Sequence, residues 1–134
     1  MVDVCVVVFF PDVSCRFSLL PALSLNGILF AEVLDRSFTG ATFLNFIDGV
    51  LNQMNPWPQK NSVLVMDNAS IHHLNPIEEA FSSIKAWIRA NRDYVQNELS
   101  NHPTANPYCM LYEAIYTVTA EKTRGWFKHS HYNV

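Results

Sequence analysis

Charge is scarce in this chain. Lys, Arg, Asp and Glu make up 16% of the 134 residues, and the net charge is −3, so no global attraction to a polyanion or an anionic membrane is expected. Any such contact must come from a local cluster. Cysteine is also sparse: Cys5, Cys15 and Cys109 are odd in number and lack a CxxC spacing, which argues against a disulfide framework and a zinc site and favours free thiols. The longest early apolar run, Val4 to Phe10, is far too short to span a bilayer. A basic leader and a small-residue cleavage site are missing, so the expectation is nucleus or cytoplasm rather than secretion, without a membrane partner. What the chain does have is apolar surface. At 49% hydrophobic it can build a sizeable core, and its length suits one domain over residues 1–134.

The organisation reads as α/β. Val4 to Phe10 is a β-branched and aromatic run closed by Pro11, expected to be a buried strand. Phe17 to Leu25 and Ile28 to Leu34 flank Asn26-Gly27, the residue pair that most favours a two-residue hairpin turn. Pro21 inside the first arm suggests an edge position or a bulge. Thr39 is placed to cap a helix with Phe43, Ile47, Val50, Leu51 and Met54 on its apolar face, ended by Asn55-Pro56-Trp57-Pro58. Val63 to Met66 is expected to be a fully buried parallel strand, reached by a right-handed crossover. Asn75 and Pro76 open a second helix with Ile77, Phe81, Ile84 and Ile88 facing the core. After a polar break at residues 101–107 comes a helix using Leu111, Tyr112 and Ile115, and Thr119 is placed to cap a last one through Trp126 and Phe127.

Two carboxylates are candidates for chemistry. Asp67 directly follows the Val63 to Met66 strand, and the C-terminal ends of strands are where α/β sheets place ligand sites. Acidic side chains converging there suit hard cations such as Mg²⁺ or Mn²⁺. A plain loop start explains Asp67-Asn68 equally simply. Glu78 falls at the third position of the second helix, where it fits a capping box with Asn75 without any metal. His72 and His73 are adjacent in a loop and make a weak ligand pair. Lys85, Arg89 and Arg92, at i, i+4 and i+7, form a basic stripe placed opposite the apolar face, suited to a phosphate backbone or simply to solvent. The six Lys/Arg of residues 85–134 outnumber the four Asp/Glu there, whereas residues 1–84 carry three against eight. Trp87, Trp126 and Phe127 suit either base stacking or a core.

Five stretches together resemble the catalytic domain of Tc/mariner-like DDE transposases of fungal type. RFSLLPALSLNGILFAEVL resembles that family's hairpin, and SFTGATFLNFIDGVLNQMNPWP the helix after it. SVLVMDNASIHH resembles the strand bearing the second catalytic Asp, which falls on Asp67. LNPIEEAFSSIKAWIR resembles the helix bearing the third catalytic acid, which falls on Glu78. EAIYTVTAEKTRGWFKHSHY resembles the end of the domain. The resemblance implies an RNase H-like fold, metal-dependent DNA cleavage and strand transfer, Asp67 and Glu78 as ligands of Mg²⁺ or Mn²⁺, and DNA as partner, with homo-oligomerisation left open.

The chain departs from the pattern in three places. The motif around the family's first catalytic Asp is not present, with Asp12 the only imitation. Only ten residues separate Asp67 from Glu78, where the family inserts a helix and a strand. No helix-turn-helix region precedes the domain. The expectation is therefore an incomplete mixed sheet with flanking helices, in a catalytically impaired remnant that keeps nucleic-acid binding. The alternative is a non-catalytic, domesticated interaction module.

Overall fold

A computed structural model of the protein describes residues 4–7, 17–66 and 76–130, with the backbone alone for 4–7. It is mixed α/β. Strands β1 (Val4–Val7), β2 (Ser18–Ser24), β3 (Gly27–Leu34) and β4 (Val63–Met66) form one sheet in the order β3-β2-β1-β4. The first three strands pair antiparallel, and β4 pairs parallel with β1, Val4 opposite Val63 through Val7 opposite Met66. Helices α1 (Gly40–Gln53), α2 (Pro76–Ala90), α3 (Arg92–Glu98), α4 (Pro107–Ile115) and α5 (Ala120–His129) complete the described chain.

The hairpin forms where its residues favour it, with its turn one position early. Ser24 pairs with Gly27, so Leu25-Asn26 is the two-residue loop rather than Asn26-Gly27. Ser24 Oγ closes the turn, accepting from the Asn26 amide at 3.1 Å and donating to the Gly27 carbonyl at 3.2 Å. Gly27 takes φ +104°, a backbone region costly for any residue with a Cβ. A Cβ there would also stand 3.3 Å from the Val118 carbonyl, so the turn lies directly against the entry to α5. The register shifts between Ala22 and Leu23, just after Pro21, which accords with the bulge expected beside that proline. Pro21 nonetheless lies in an interior strand, where β1 pairs only with Ala22 and Leu23 among the described residues.

Each face of the sheet carries its own core. On one face α1 lays Phe46 and Val50, both fully buried, against Leu20 and Ala22, with Phe30, Phe43, Ile47 and Leu64 packed around them. Side chains alternate across a strand, so Leu23, Val33 and Val65 point to the other face. There they meet Ile77, Phe81 and Ile84 of α2, Ala114 and Ile115 of α4, and Phe127 of α5. Burying side chains of this size contributes about 1.5–3 kcal/mol each. The core axis of α1 is rotated from expectation: Phe46 is at its centre, while Leu51 is 52% exposed.

Helix ends follow local chemistry. Thr39 Oγ1 accepts from the Thr42 amide, and Thr42 Oγ1 accepts from the Thr39 amide at 2.7 Å, a reciprocal cap. Asn106 caps α4, with Pro107 at its first position, and Thr119 caps α5.

Burial of β4 is the main departure. Val63, Leu64 and Val65 are half-buried and Met66 is 57% exposed, so the strand is not fully buried. The reason is its position: β4 lies at the margin of the described sheet, with β1 on one side and no described strand on the other.

Candidate nucleic-acid interface beside the sheet margin

Helix α2 positions most of the expected site. It packs over β1, while α4 and α5 pack over β3. Lys122 Nζ of α5 donates to Ser83 Oγ at 3.3 Å, which fixes the side of α2 that faces α5. Glu78, Ser82, Lys85 and Arg89 recur at i, i+4, i+7 and i+11, so they share the other flank, turned toward the β4 side of the sheet. Glu78 and Arg89 are exposed there and Lys85 is half-buried. A carboxylate thus marks the N-terminal end of this flank, two cations mark its C-terminal half, and Ser82 bridges the gap. Ser82 was not among the expected residues, although the same helical spacing reveals it.

The basic stripe departs from expectation in two respects. Lys85 borders the core face of α2 instead of lying opposite it, which explains its partial burial. Arg92 does not continue that face. Asn91 leaves helical geometry at φ −110° and ψ 33°, and its side-chain Nδ2 donates to the Trp87 carbonyl at 2.8 Å. Arg92 therefore begins the separate helix α3, exposed to solvent.

Asp67 lies outside the described residues, as do Asp12, His72, His73 and the Asn75 cap. The strand that leads to Asp67 is described, however. Met66 is paired with Val7, at the C-terminal end of two parallel neighbours. Glu78 sits in the first turn of α2, as the third helical residue after Pro76 and Ile77. A negative charge in that turn interacts favourably with the helix dipole.

Of the expected metal-binding pair, then, only Glu78 is described. Its carboxylate oxygen is the right donor type for Mg²⁺ or Mn²⁺, but one carboxylate does not make a site. No group of three or more His, Cys, Asp or Glu side chains suited to holding a metal occurs among the described residues.

The large aromatics belong to the core side of the alternatives. Phe127 is fully buried, and Trp87 and Trp126 pack against the same cluster. Cys109 is a free, exposed thiol. No helix among the described residues is long and apolar enough to cross a membrane. Comparisons with known proteins return no matching family model, no matching curated protein and no matching solved structure.

Proposed function

We propose that this chain is a shortened Tc/mariner-like DDE domain with an RNase H-like sheet, that it binds nucleic acid along the outer flank of α2, and that it has lost efficient strand cutting. The observation carrying this reading is the parallel pairing of β4 with β1 inside the order β3-β2-β1-β4. An antiparallel meander joined by a parallel strand beside β1 supports the RNase H-like reading that the resemblance implies. The C-terminal ends of parallel strands are where such sheets place ligand sites, and α2 follows with Glu78 exposed in its first turn.

Loss of efficient cutting follows from the short connection. Ten residues extend up to roughly 33 Å, so reach alone does not keep Glu78 from Asp67. Two-metal chemistry demands more, namely ions held about 3.5–4 Å apart in a rigid frame. The connection between Asp67 and Glu78 is too short to supply the helix and strand that would brace such a frame.

The test has two arms. DNA binding, read by fluorescence anisotropy, is expected to weaken with rising salt and to fall in Lys85→Gln/Arg89→Gln. Nicking of supercoiled plasmid in Mg²⁺ or Mn²⁺ is expected to be absent, with Asp67→Ala indistinguishable from the parent. Metal-dependent nicking that Asp67→Ala abolishes would restore the active enzyme. Absent or salt-insensitive DNA binding would favour the second reading, a non-catalytic interaction module. That reading draws on the uncharged strand Val63–Met66 at the margin of the described sheet.

A further inference from the structure

Helix α5 carries the strongest concentration of positive charge that the proposed interface leaves unused. Lys122, Arg124 and Lys128 are all exposed, against one acid, Glu121. These groups divide between two sides. Lys122 is directed toward α2, its Nζ shared between Ser83 Oγ and the Thr117 carbonyl at 2.9 Å. Arg124 and Lys128, four residues apart, share the side nearer the hairpin turn, where Arg124 Nη2 donates to Asn26 Oδ1 at 3.4 Å. No ion pair joins Arg124 or Lys128 to a carboxylate among the described residues. Like charges at i and i+4 on a helix repel, and a bound polyanion would relieve that repulsion.

The support beneath this pair is rigid. Thr123, fully buried, directs Oγ1 to the Leu25 carbonyl at 3.2 Å and the Ala120 carbonyl at 3.0 Å, tying α5 to the β2–β3 turn. Gly27 brings the same turn against the start of α5. The two cations therefore stand on an anchored helix, so little backbone ordering is needed on binding.

We propose that Arg124 and Lys128, beside the Asn26 turn, form a second phosphate-contacting surface that takes the sugar-phosphate backbone of nucleic acid. It is separate from the α2 flank, because Ser83 and Lys122 place α5 against the opposite side of that helix. Residues four apart on a helix have Cβ atoms about 5–6 Å apart, and one DNA strand advances about 3.4 Å per phosphate. Two long cationic side chains at this spacing can reach phosphates of one strand. The proposal rests on the nucleic-acid reading above and extends it to a second face.

The experiment measures anisotropy of a labelled random-sequence duplex with the full chain, Arg124→Gln/Lys128→Gln, Lys128→Gln alone, and Lys85→Gln/Arg89→Gln, across a salt series. Removing two phosphate contacts is expected to flatten the log–log salt slope by about 1.8, so that the parent loses about 12-fold more affinity than the double variant between about 50 and 200 mM salt. Lys128→Gln alone, which disturbs no hydrogen bond among the described residues, is expected to remove about half of that slope change. An unchanged slope in both α5 variants, with a lowered slope in Lys85→Gln/Arg89→Gln, overturns the second surface and leaves the α2 reading standing. No binding by the parent overturns both. Competition by polyglutamate as effective as by unlabelled DNA, or equal binding to phosphatidylserine vesicles, overturns the assignment to nucleic acid.

Discussion

Gly49 lies where α1 crosses closest to the sheet, and replacing it with Ala sets two effects of opposite sign against each other. Ala is the better helix former by about 0.8–1.0 kcal/mol. Its Cβ, however, would stand 2.6 Å from Cζ and 2.7 Å from Cε1 of Phe30 on β3. Ordinary contact begins near 3.4 Å, so the ring must retreat by close to an ångström. Its retreat is obstructed, because Phe30 packs on Phe46 at a centroid distance of 5.5 Å, and Phe46 is fully buried. Overpacking of this kind costs about 1–3 kcal/mol. The steric effect therefore wins, and Gly49→Ala is expected to destabilise the fold by up to about 2 kcal/mol.

The same substitution in a Phe30→Leu background meets no ring, so the helix preference remains and the change becomes neutral or stabilising by up to about 1 kcal/mol. Urea denaturation of the four proteins, followed by tryptophan fluorescence, yields the coupling directly. A coupling of about 1–3 kcal/mol is expected. Stabilisation by Gly49→Ala in the parent background, or a coupling under about 0.5 kcal/mol, would refute the claim that the ring forbids a side chain there.

Three further outcomes follow from the structure. Thr123→Val keeps the volume but removes the hydroxyl that joins α5 to Leu25, and should cost about 1–3 kcal/mol by chemical denaturation. Tyr94 and Tyr112 should ionise above the usual phenol value in a phenolate absorbance titration: Tyr94 through desolvation first and the hydrogen bond it donates to Glu113 next, Tyr112 through burial first and its neighbours Tyr116 and Glu32 next. Because the folded state holds these protons more tightly, their contribution to stability is complete below the usual phenol value of about 10 and is lost as pH rises through the folded-state values; Glu113→Gln should lower Tyr94 and leave Tyr112 in place. Glu78→Gln should cost about 0.3–1 kcal/mol through the helix dipole alone, and a larger loss present only in Mg²⁺ would reveal a metal at that carboxylate.

Local chemistry was readable from the residues and global position was not. Thr39 and Thr119 cap the expected helices because a hydroxyl before an apolar run has few better uses, and the Asn-Pro-Trp-Pro stop after α1 follows from proline's missing amide. The parallel direction of β4 was also legible, from a short apolar run after a helix. Its exposure was not, because burial of a strand depends on whether another strand lies beside it. The face of α1 was ambiguous for a different reason: apolar residues at positions 43, 44, 46, 47, 50, 51 and 54 cover much of the helix, so periodicity alone does not select Phe46 over Leu51. The basic stripe breaks because Asn91 leaves helical geometry, which residue spacing does not encode. At the candidate site, spacing singles out Lys85 and Arg89, and the resemblance singles out Glu78. The Arg124–Lys128 pair was not, since its significance depends on a hairpin turn nearly a hundred residues earlier.

The pairing of β1 with β4 also governs the order in which the sheet assembles. The β2–β3 hairpin closes on local contacts, and α1 needs only its own segment and the face beneath it. The first strand is different, because its parallel neighbour comes only after hairpin and helix have both been made. Parallel pairs of high sequence separation form slowly. On a ribosome the meander would wait with one side of Val4–Val7 unpaired until Val63–Met66 emerged. The length of α1 and its following turn sets that delay, and the aggregation risk of this chain falls within it.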